Sequence, residues 1–117
     1  MTNFEEIAQD AMDAPFRAQQ KRTELAWLLE RVAAIKPKTI LEIGVYKGGT
    51  IKAWTSVADE SALIIGVDKR DGEYGGGFEK DEEDEIKSVA KSEQKIVLLD
   101  GDSHELSTLK MIESICP

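Results

Sequence analysis

The chain has 117 residues, 41% of them hydrophobic, and its formal net charge at pH 7 is −8. This size predicts one domain, 1–117, and the acidic balance disfavours nucleic acid and anionic lipid surfaces as partners. Cys116 is the only cysteine, so no disulfide can form within the chain, and neither a leader nor a long apolar run is visible. We therefore expect a cytoplasmic protein.

Two helices are predicted at the start of the chain. Thr2 and Glu5 have the spacing of a capping box, and the apolar residues that follow repeat with a helical period until Pro15 interrupts them. Because proline is tolerated in a first helical turn, we expect the second helix to begin there. Its apolar stripe covers residues 25–33, and it should end before Pro37.

A short strand and a glycine-bearing turn come next. Thr39 to Ile43 is apolar and rich in β-branched residues, which is typical of a parallel strand buried on both faces. Gly44, Gly48 and Gly49 end that pattern. A turn of this kind at the carboxyl edge of a sheet lets a small molecule approach unpaired backbone N–H groups. Glu42 would direct its carboxylate at that molecule, which indicates a cationic group on the ligand.

The second strand is predicted from Ala62 to Val67, after an amphipathic helix over residues 51–58. It ends in Asp68, the position from which an acid accepts hydrogen bonds from ribose hydroxyls in dinucleotide-type folds. Asp68 follows Gly44 by 24 residues, close to the roughly 20 expected for such a site. The ordinary alternative is that any strand end can carry a polar residue.

A mobile glycine-rich loop and the acidic start of a helix are predicted over residues 69–85. Acidic side chains are stabilised in the first turn of a helix by the helix dipole, so the acidic residues here are interpreted as a solvent-exposed helix start, with Ile86 facing inward. A metal site is the alternative, but consecutive acids on a helix point in different directions and no histidine lies nearby. Tyr74 and Phe78 are candidates to close over a ligand.

The last elements are a strand from Lys95 to Leu99 and a helix over residues 105–115, with a polar turn between them. In that turn, Asp102 could accept a hydrogen bond from an exocyclic amine such as adenine N6. Alternatively, Asp102 or Ser103 could cap the following helix. His104 is the only histidine, and together with two neighbouring acids it lacks the ligand count of a zinc site.

The chain resembles the class I S-adenosylmethionine-dependent methyltransferases in the order and spacing of three motifs. These are Leu41-Glu42-Ile43-Gly44-Val45-Tyr46-Lys47-Gly48-Gly49-Thr50, Gly66-Val67-Asp68 and Gly101-Asp102-Ser103-His104. The first and third motifs look most like the branch that contains cephalosporin hydroxylase-like and related small-molecule O-methyltransferases. The resemblance implies an α/β, Rossmann-like fold of three layers (αβα), with parallel strands in the order 3-2-1, truncated before strand 4.

The resemblance also implies S-adenosylmethionine as the cofactor and assigns residues to it. The predicted cofactor-binding residues are Glu42, Gly44, Tyr46, Gly48, Asp68, Lys69, Asp102 and Ser103. The methionine part would lie within residues 42–48, the ribose on Asp68, and the adenine between Asp102 and Ser103. No catalytic residue and no metal ligand is predicted, because members of this branch carry such groups after the fourth strand.

Charge and glycine spacing favour S-adenosylmethionine over a nicotinamide dinucleotide. Three carboxylates suit a ligand with a sulfonium and an ammonium, whereas they would repel a pyrophosphate. The pattern Gly44-x-x-x-Gly48 is also not the G-x-G-x-x-G fingerprint of dinucleotide sites. The predicted function is methyl transfer to a small-molecule acceptor, and the branch that the chain resembles implies oxygen as the acceptor atom. A non-catalytic nucleotide- or S-adenosylmethionine-binding module and an NAD-dependent enzyme are the alternatives.

Strand 1 would be an edge strand if no fourth strand pairs with it. Ile40, Leu41, Ile43 and Val45 would then expose apolar area beside unpaired backbone groups, which favours pairing with another chain. We therefore expect a homodimer through the strand 1 edge, with the helix over 105–115 helping to cover it.

Overall fold

A computed structural model describes residues 2–69 and 78–116 of the chain. Within these ranges, α-helices and parallel strands follow one another along most of the sequence. The helices are α1 (Asn3–Met12), α2 (Arg22–Ile35), α3 (Gly49–Val57), α4 (Lys80–Lys87) and α5 (Leu106–Ile115), and the strands are β1 (Thr39–Ile43), β2 (Leu63–Asp68) and β3 (Lys95–Asp100). The mobile loop predicted before α4, including Tyr74, falls mostly on 70–77, outside the described residues.

The three strands form one parallel sheet in the order β1-β2-β3, so β2 is central and β1 and β3 are the edges. Glu42 pairs with Gly66 in the first ladder, and Asp68 pairs with Asp100 in the second. The predicted α/β, Rossmann-like arrangement of parallel strands is therefore confirmed. All three strands end at the same edge of the sheet, which brings the polar residues that follow them together.

The main core lies between the sheet and the helices α1, α2 and α3, which contact one another, with α3 also contacting β2. The capping box expected at the first helix is half formed, since Thr2 Oγ1 accepts from the backbone N–H of Glu5 at 3.1 Å. The core contains Leu29, Ile51, Ile64 and Ile86. None of the helices in the described ranges is long and apolar enough to cross a membrane.

The second helix begins at Arg22, so the prediction that it begins at Pro15 is wrong. The chain between α1 and α2 instead folds back onto α1, where the backbone N–H of Ala18 donates to the carbonyl of Ala11 at 2.9 Å. Phe16 is buried in the same segment. A tertiary contact of the segment thus replaces the helical turn that the sequence permits. The predicted end before Pro37 is correct, with Lys36 as the C-cap.

β1 is not buried on both faces, contrary to the prediction. Leu41 and Ile43 are 45% and 54% exposed, because β1 is an edge strand and its second face is only partly covered. Glu42 lies on the opposite face, where its carboxylate contacts α3. Val45, which was expected to be exposed at this edge, is only 2% exposed, since it lies beyond the strand and packs towards Gly66 and Ile51.

Two further predictions about the second half of the chain are wrong. Phe78 does not close over a ligand site, since it is fully buried in the main core. Neither Asp102 nor Ser103 caps the last helix, because α5 begins after Glu105. The predicted inward position of Ile86 on α4 is confirmed. On α5, Thr108 is buried while Leu106 and Leu109 remain exposed.

Candidate functional site

Backbone hydrogen bonds tie the loops after β1 and β3 to the end of β2. The N–H of Gly44 donates to the carbonyl of Val67 at 2.8 Å, and the N–H of Gly101 donates to the carbonyl of Asp68 at 3.0 Å. The structure therefore brings all three motifs to one edge of the sheet, as the parallel topology requires.

The turn after β1 is tight, and glycine is required within it. The N–H of Gly48 donates to the carbonyl of Val45 at 3.0 Å, and Tyr46 has a φ of 52°. Gly48 has a φ of 88°, and a Cβ there would lie 2.5 Å from Ile86 Cγ1 of α4. Any other residue at position 48 would be strained and would overlap the Ile86 side chain, which would have to shift. We call residues 44–48 the glycine turn.

Asp68 holds the glycine turn in place. Its Oδ2 accepts from the backbone N–H groups of Val45 at 2.8 Å and Tyr46 at 2.9 Å, and its Oδ1 accepts from the N–H of Lys69 at 2.9 Å. The residue predicted to hold a ribose thus also accepts hydrogen bonds from two partly buried backbone N–H groups of the turn. Its contact with ribose stays a prediction.

Glu42 is enclosed between β1 and α3. Its Oε1 accepts from the hydroxyl of Thr50 and from the indole N–H of Trp54 at 3.3 Å, while its Oε2 is buried without a hydrogen-bond partner among the described residues. Burial raises the pKa of Glu42 to about 6, although the two hydrogen bonds act in the opposite direction. A buried carboxylate oxygen without a partner is costly, and a cationic ligand group would relieve that cost.

Asp102 and Lys69 lie close together at the outer part of the site. Lys69 Nζ is 3.9 Å from Asp102 Oδ2, and Asp102 Oδ1 accepts from the backbone N–H of His104 at 2.9 Å. That backbone hydrogen bond is the main cause that lowers the pKa of Asp102. Ser103 is exposed beside them. The predicted adenine residues are therefore at the correct edge of the sheet, and their contact with adenine stays a prediction.

An ion pair that the sequence analysis did not predict connects the glycine turn to α4. Lys47 Nζ lies 2.8 Å from Glu82 Oε2 and 3.0 Å from Glu82 Oε1. The pair raises the pKa of Lys47 and lowers the pKa of Glu82. Glu82 Oε1 also accepts from the backbone N–H of Glu79, as in a capping box, so one carboxylate begins α4 and holds the turn.

A cavity of about 200 Å³ opens beside the glycine turn. Its described lining residues are Ala18, Gln19, Gln20, Gly44, Val45, Tyr46, Gly49 and Thr50. The hydroxyl of Thr50 donates to Glu42 Oε1, so the Glu42 carboxylate contacts a residue in the wall of this cavity. Pockets for drug-sized ligands measure about 300–1,000 Å³, so this cavity suits one part of a cofactor.

Sequence reasoning missed several residues of this site. Trp54 lies in the amphipathic helix predicted over residues 51–58 and was given no role in the site, although an acid buried in a strand requires donors from the helix that covers it. That requirement could have identified Thr50 and Trp54 as partners of Glu42. Gln19 and Gln20 gave no such signal, because they were placed within a helix that the structure does not form there.

A larger cavity of about 520 Å³ lies at the other end of the strands, between α1, the end of α3 and the loop before β3. The carboxamide of Gln94 in its wall already donates to the carbonyls of Thr55 and Asp59. Within the described ranges, no group of three or more histidine, cysteine or acidic residues could hold a metal ion. Because Gln94 is already paired, whereas Glu42 Oε2 beside the glycine turn has no hydrogen-bond partner among the described residues, the glycine turn is the better candidate for a site.

The fold of the chain matches solved structures of a methyltransferase. One is the apo structure of CalS11, a TDP-rhamnose 3′-O-methyltransferase in calicheamicin biosynthesis, with a TM-score of 0.54 and 17% sequence identity over 94% of this chain. A second CalS11 crystal structure, described as a calicheamicin methyltransferase, gives a TM-score of 0.55 and 17% identity over 95% of this chain. No protein-family profile and no curated protein sequence matches the chain.

The matched region covers 58% and 61% of the two CalS11 chains, so this chain spans about three-fifths of their length. At 17% identity the likeness establishes the fold alone. The chain thus shares the α/β, Rossmann-like fold of CalS11 over the matched region, and a shared fold does not by itself establish an activity.

Proposed function

We propose that the chain is the cofactor-binding half of an S-adenosylmethionine-dependent methyltransferase that acts on a small-molecule acceptor, with oxygen as the methylated atom. The observation that carries this proposal is Glu42. A buried carboxylate with one unpartnered oxygen lies behind a cavity at the glycine turn, where the ammonium of the cofactor would compensate its charge.

The remaining residues of the site fit the same cofactor. Asp68 and Asp102 place two more carboxylates along the ends of β2 and β3, where ribose hydroxyls and an exocyclic amine would find acceptors. Gly48 lets the turn pack directly under Ile86, and Gly49 lies against Ala11 and Ala18 with no room for a side chain. These two glycines are required for packing within the protein, whereas a Cβ on Gly44 would meet nothing within 4 Å, so the open space for a cofactor lies beside Gly44.

The chain contributes binding and alignment to the proposed reaction. S-adenosylmethionine, when bound, supplies a methyl group that its sulfonium activates. Glu42 would hold the ammonium, Asp68 the ribose, and Asp102 with Ser103 the adenine, so that the methyl group faces the acceptor in a fixed direction. Such alignment is worth up to about 7–11 kcal/mol in favourable reactions.

Two alternatives predict different ligands. A non-catalytic module would bind S-adenosylmethionine without transferring its methyl group, and an NAD-dependent enzyme would bind a dinucleotide. The acidic groups at the strand ends disfavour the dinucleotide, because its pyrophosphate would lie among carboxylates. The spacing between Gly44 and Gly48 disfavours it as well.

Calorimetric titration of the chain with S-adenosylmethionine, S-adenosylhomocysteine and NAD tests the proposal. We expect binding of the first two ligands and none of NAD. Binding of NAD alone would contradict the proposal and favour the second alternative. If the first two ligands bind, transfer of a labelled methyl group to a panel of hydroxylated small molecules distinguishes an enzyme from a binding module.

The proposed partners are the small-molecule acceptor and a second copy of the chain. The second copy would pair with the free edge of β1, where Leu41 and Ile43 are exposed beside backbone groups that no strand in the described part of the chain pairs. The acidic net charge provides no attraction for nucleic acid or anionic lipid.

A further inference from the structure

The segment between α1 and α2 forms one wall of the cavity at the glycine turn. Ala18, Gln19 and Gln20 line this cavity opposite residues 44–46 and the start of α3. No role in cofactor binding was predicted for any residue of this segment. The exposed carboxamides of Gln19 and Gln20 are the polar side chains that the segment brings to the cavity.

Several contacts fix this wall relative to the turn. The N–H of Ala18 donates to the carbonyl of Ala11 at 2.9 Å, and Phe16 is buried with Lys52 Nζ 4.8 Å from its ring centroid. Gly49 faces the backbone carbonyl of Ala11 and the side chain of Ala18 so closely that a Cβ on it would overlap both. The segment therefore packs directly on Gly49, the first residue of α3.

The cavity offers donors without a fixed positive charge. None of its eight described lining residues is a lysine or arginine, and one side of it is the N-terminus of α3, whose first N–H groups have no partner within the helix. Thr50 in the same wall donates to Oε1 of Glu42, whose other carboxylate oxygen, Oε2, is buried without a hydrogen-bond partner among the described residues. An ammonium and a carboxylate held side by side, as in an amino acid, match an acid on one side and neutral donors on the other.

We infer that Gln19 and Gln20 bind the α-carboxylate of the amino-acid end of the cofactor, together with the N-terminus of α3. This inference rests on the proposed function, because it assumes a cofactor that carries an amino-acid group. The size of the cavity agrees with it, since about 200 Å³ suits the amino-acid end while the nucleoside extends along the strand ends towards Asp68 and Asp102.

Two ligands that differ in the amino-acid end test the inference. S-adenosylhomocysteine carries this end, whereas 5′-methylthioadenosine has the same nucleoside and thioether without it. We expect Gln19→Ala/Gln20→Ala to weaken S-adenosylhomocysteine binding roughly 10-fold or more, as for hydrogen bonds to a charged group, and to leave 5′-methylthioadenosine binding within about 2-fold. Each single variant should weaken the first ligand by a smaller factor.

Gln9→Ala is the matched control, because Gln9 is a half-buried glutamine of α1 that donates to Asp13 and accepts from Arg22, outside the cavity. We expect it to leave binding of both ligands unchanged. Equal weakening of both ligands in the double variant would show a general disturbance of the site and overturn the inference, as would unchanged affinity for S-adenosylhomocysteine. Failure of the unmodified chain to bind S-adenosylhomocysteine at all would instead contradict the proposed function, and the inference with it.

Discussion

Asp68 Oδ2 accepts a hydrogen bond from the backbone N–H of Tyr46 at 2.9 Å, so a side chain at the end of β2 holds the turn that follows β1. Tyr46 has a positive φ, a conformation that few residues other than glycine adopt without cost. The hydrogen bond therefore stabilises a strained residue of the candidate site. Because of this link, a change at Asp68 should affect both the turn and the proposed ribose contact.

The first prediction concerns Asp68→Ala. We expect it to weaken S-adenosylhomocysteine binding by about 1–3 kcal/mol, because the ribose loses an acceptor and the N–H groups of Val45 and Tyr46 lose theirs. Calorimetric titration measures the affinity, and thermal unfolding followed by circular dichroism measures the accompanying loss of stability.

Asp59→Ala is its control, since Asp59 also accepts from a backbone N–H, that of Ser61, but lies in the loop before β2. It should reduce stability slightly and leave the affinity unchanged. If Asp68→Ala bound S-adenosylhomocysteine as tightly as the unmodified chain, the assignment of the ribose site would be wrong.

The second prediction concerns the pH dependence caused by Glu42. Its pKa is about 6 in the folded chain and 4.5 in a solvated one, so between these values the folded chain binds more protons than the unfolded chain. The free energy of unfolding should therefore fall as pH rises through this window, by up to about 2 kcal/mol from this one group. Glu42→Gln should lack this component.

Urea unfolding of the unmodified chain and of Glu42→Gln at pH 4 and pH 7 measures the contribution of Glu42, because the other titrating groups are common to both proteins and cancel in the difference.

The protonation of Glu42 should also affect ligand binding. An ammonium beside the carboxylate lowers its pKa, so affinity for S-adenosylmethionine should rise between pH 5 and pH 7 in the unmodified chain and change less in Glu42→Gln. Parallel pH profiles in the two proteins would contradict the placement of the ammonium at Glu42.

The strands were predicted well because their pattern is local. Continuous apolar runs predicted β1 over the residues it occupies, and the predicted third strand, 95–99, differs from β3 by one residue. The polar residues that follow the strands lie at one edge of the sheet because parallel strands all end at the same edge. The positions of Glu42, Asp68 and Asp102 at that edge follow from the same rule.

The sequence predictions are wrong where contacts between residues far apart in the sequence determine the local structure or the exposure of a side chain. Pro15 permits a helix start, but the hydrogen bond from Ala18 to Ala11 and the burial of Phe16 keep this segment out of helix. The exposure of Leu41 and Ile43 depends on which strand is an edge, which an apolar run does not reveal. The hydrogen bonds that Asp68 accepts from the glycine turn likewise join residues 22 and 23 positions apart.

The third prediction concerns the ion pair between Lys47 and Glu82. Glu82→Gln removes the charge but keeps an oxygen that can accept from the N–H of Glu79, so the start of α4 should persist. We expect a loss of about 0.2–1 kcal/mol in unfolding free energy, as for a partly exposed pair. S-adenosylhomocysteine binding should weaken as well, because Lys47 lies within the glycine turn.

Lys87→Gln provides the comparison, because it breaks the pair with Glu83 within α4 and does not involve the turn. It should affect stability to a similar extent and leave the affinity unchanged. Equal affinities for the two variants would show that the ion pair has no influence on the ligand site.

The fourth prediction concerns Gly48. Gly44 and Gly48 have nearly the same φ, 87° and 88°, but a Cβ at position 44 would meet nothing within 4 Å, whereas one at position 48 would overlap Ile86. Gly44→Ala should therefore cost about 1–2 kcal/mol from backbone strain alone, and Gly48→Ala should cost more.

Unfolding measurements in an Ile86→Ala background separate the two causes. Removing the Ile86 side chain should reduce the cost of Gly48→Ala towards that of Gly44→Ala, which is a negative coupling in a double-mutant cycle. Additive costs would mean that Ile86 does not restrict position 48.

The last prediction concerns the proposed dimer. Two copies of β1 related by a two-fold axis would pair antiparallel, and their unpaired backbone groups would satisfy one another while the exposed side chains of Leu41 and Ile43 become buried. We expect light scattering to give twice the mass of the chain at micromolar concentration.

Ile43→Lys should shift the protein to monomer, because a charge in the apolar interface opposes pairing. Ile35→Lys, at a position 75% exposed on α2 and outside the β1 edge, should leave the dimer intact. A monomeric unmodified chain over the whole concentration range would overturn the dimer, and dissociation by Ile35→Lys alone would place the contact on α2 instead of β1.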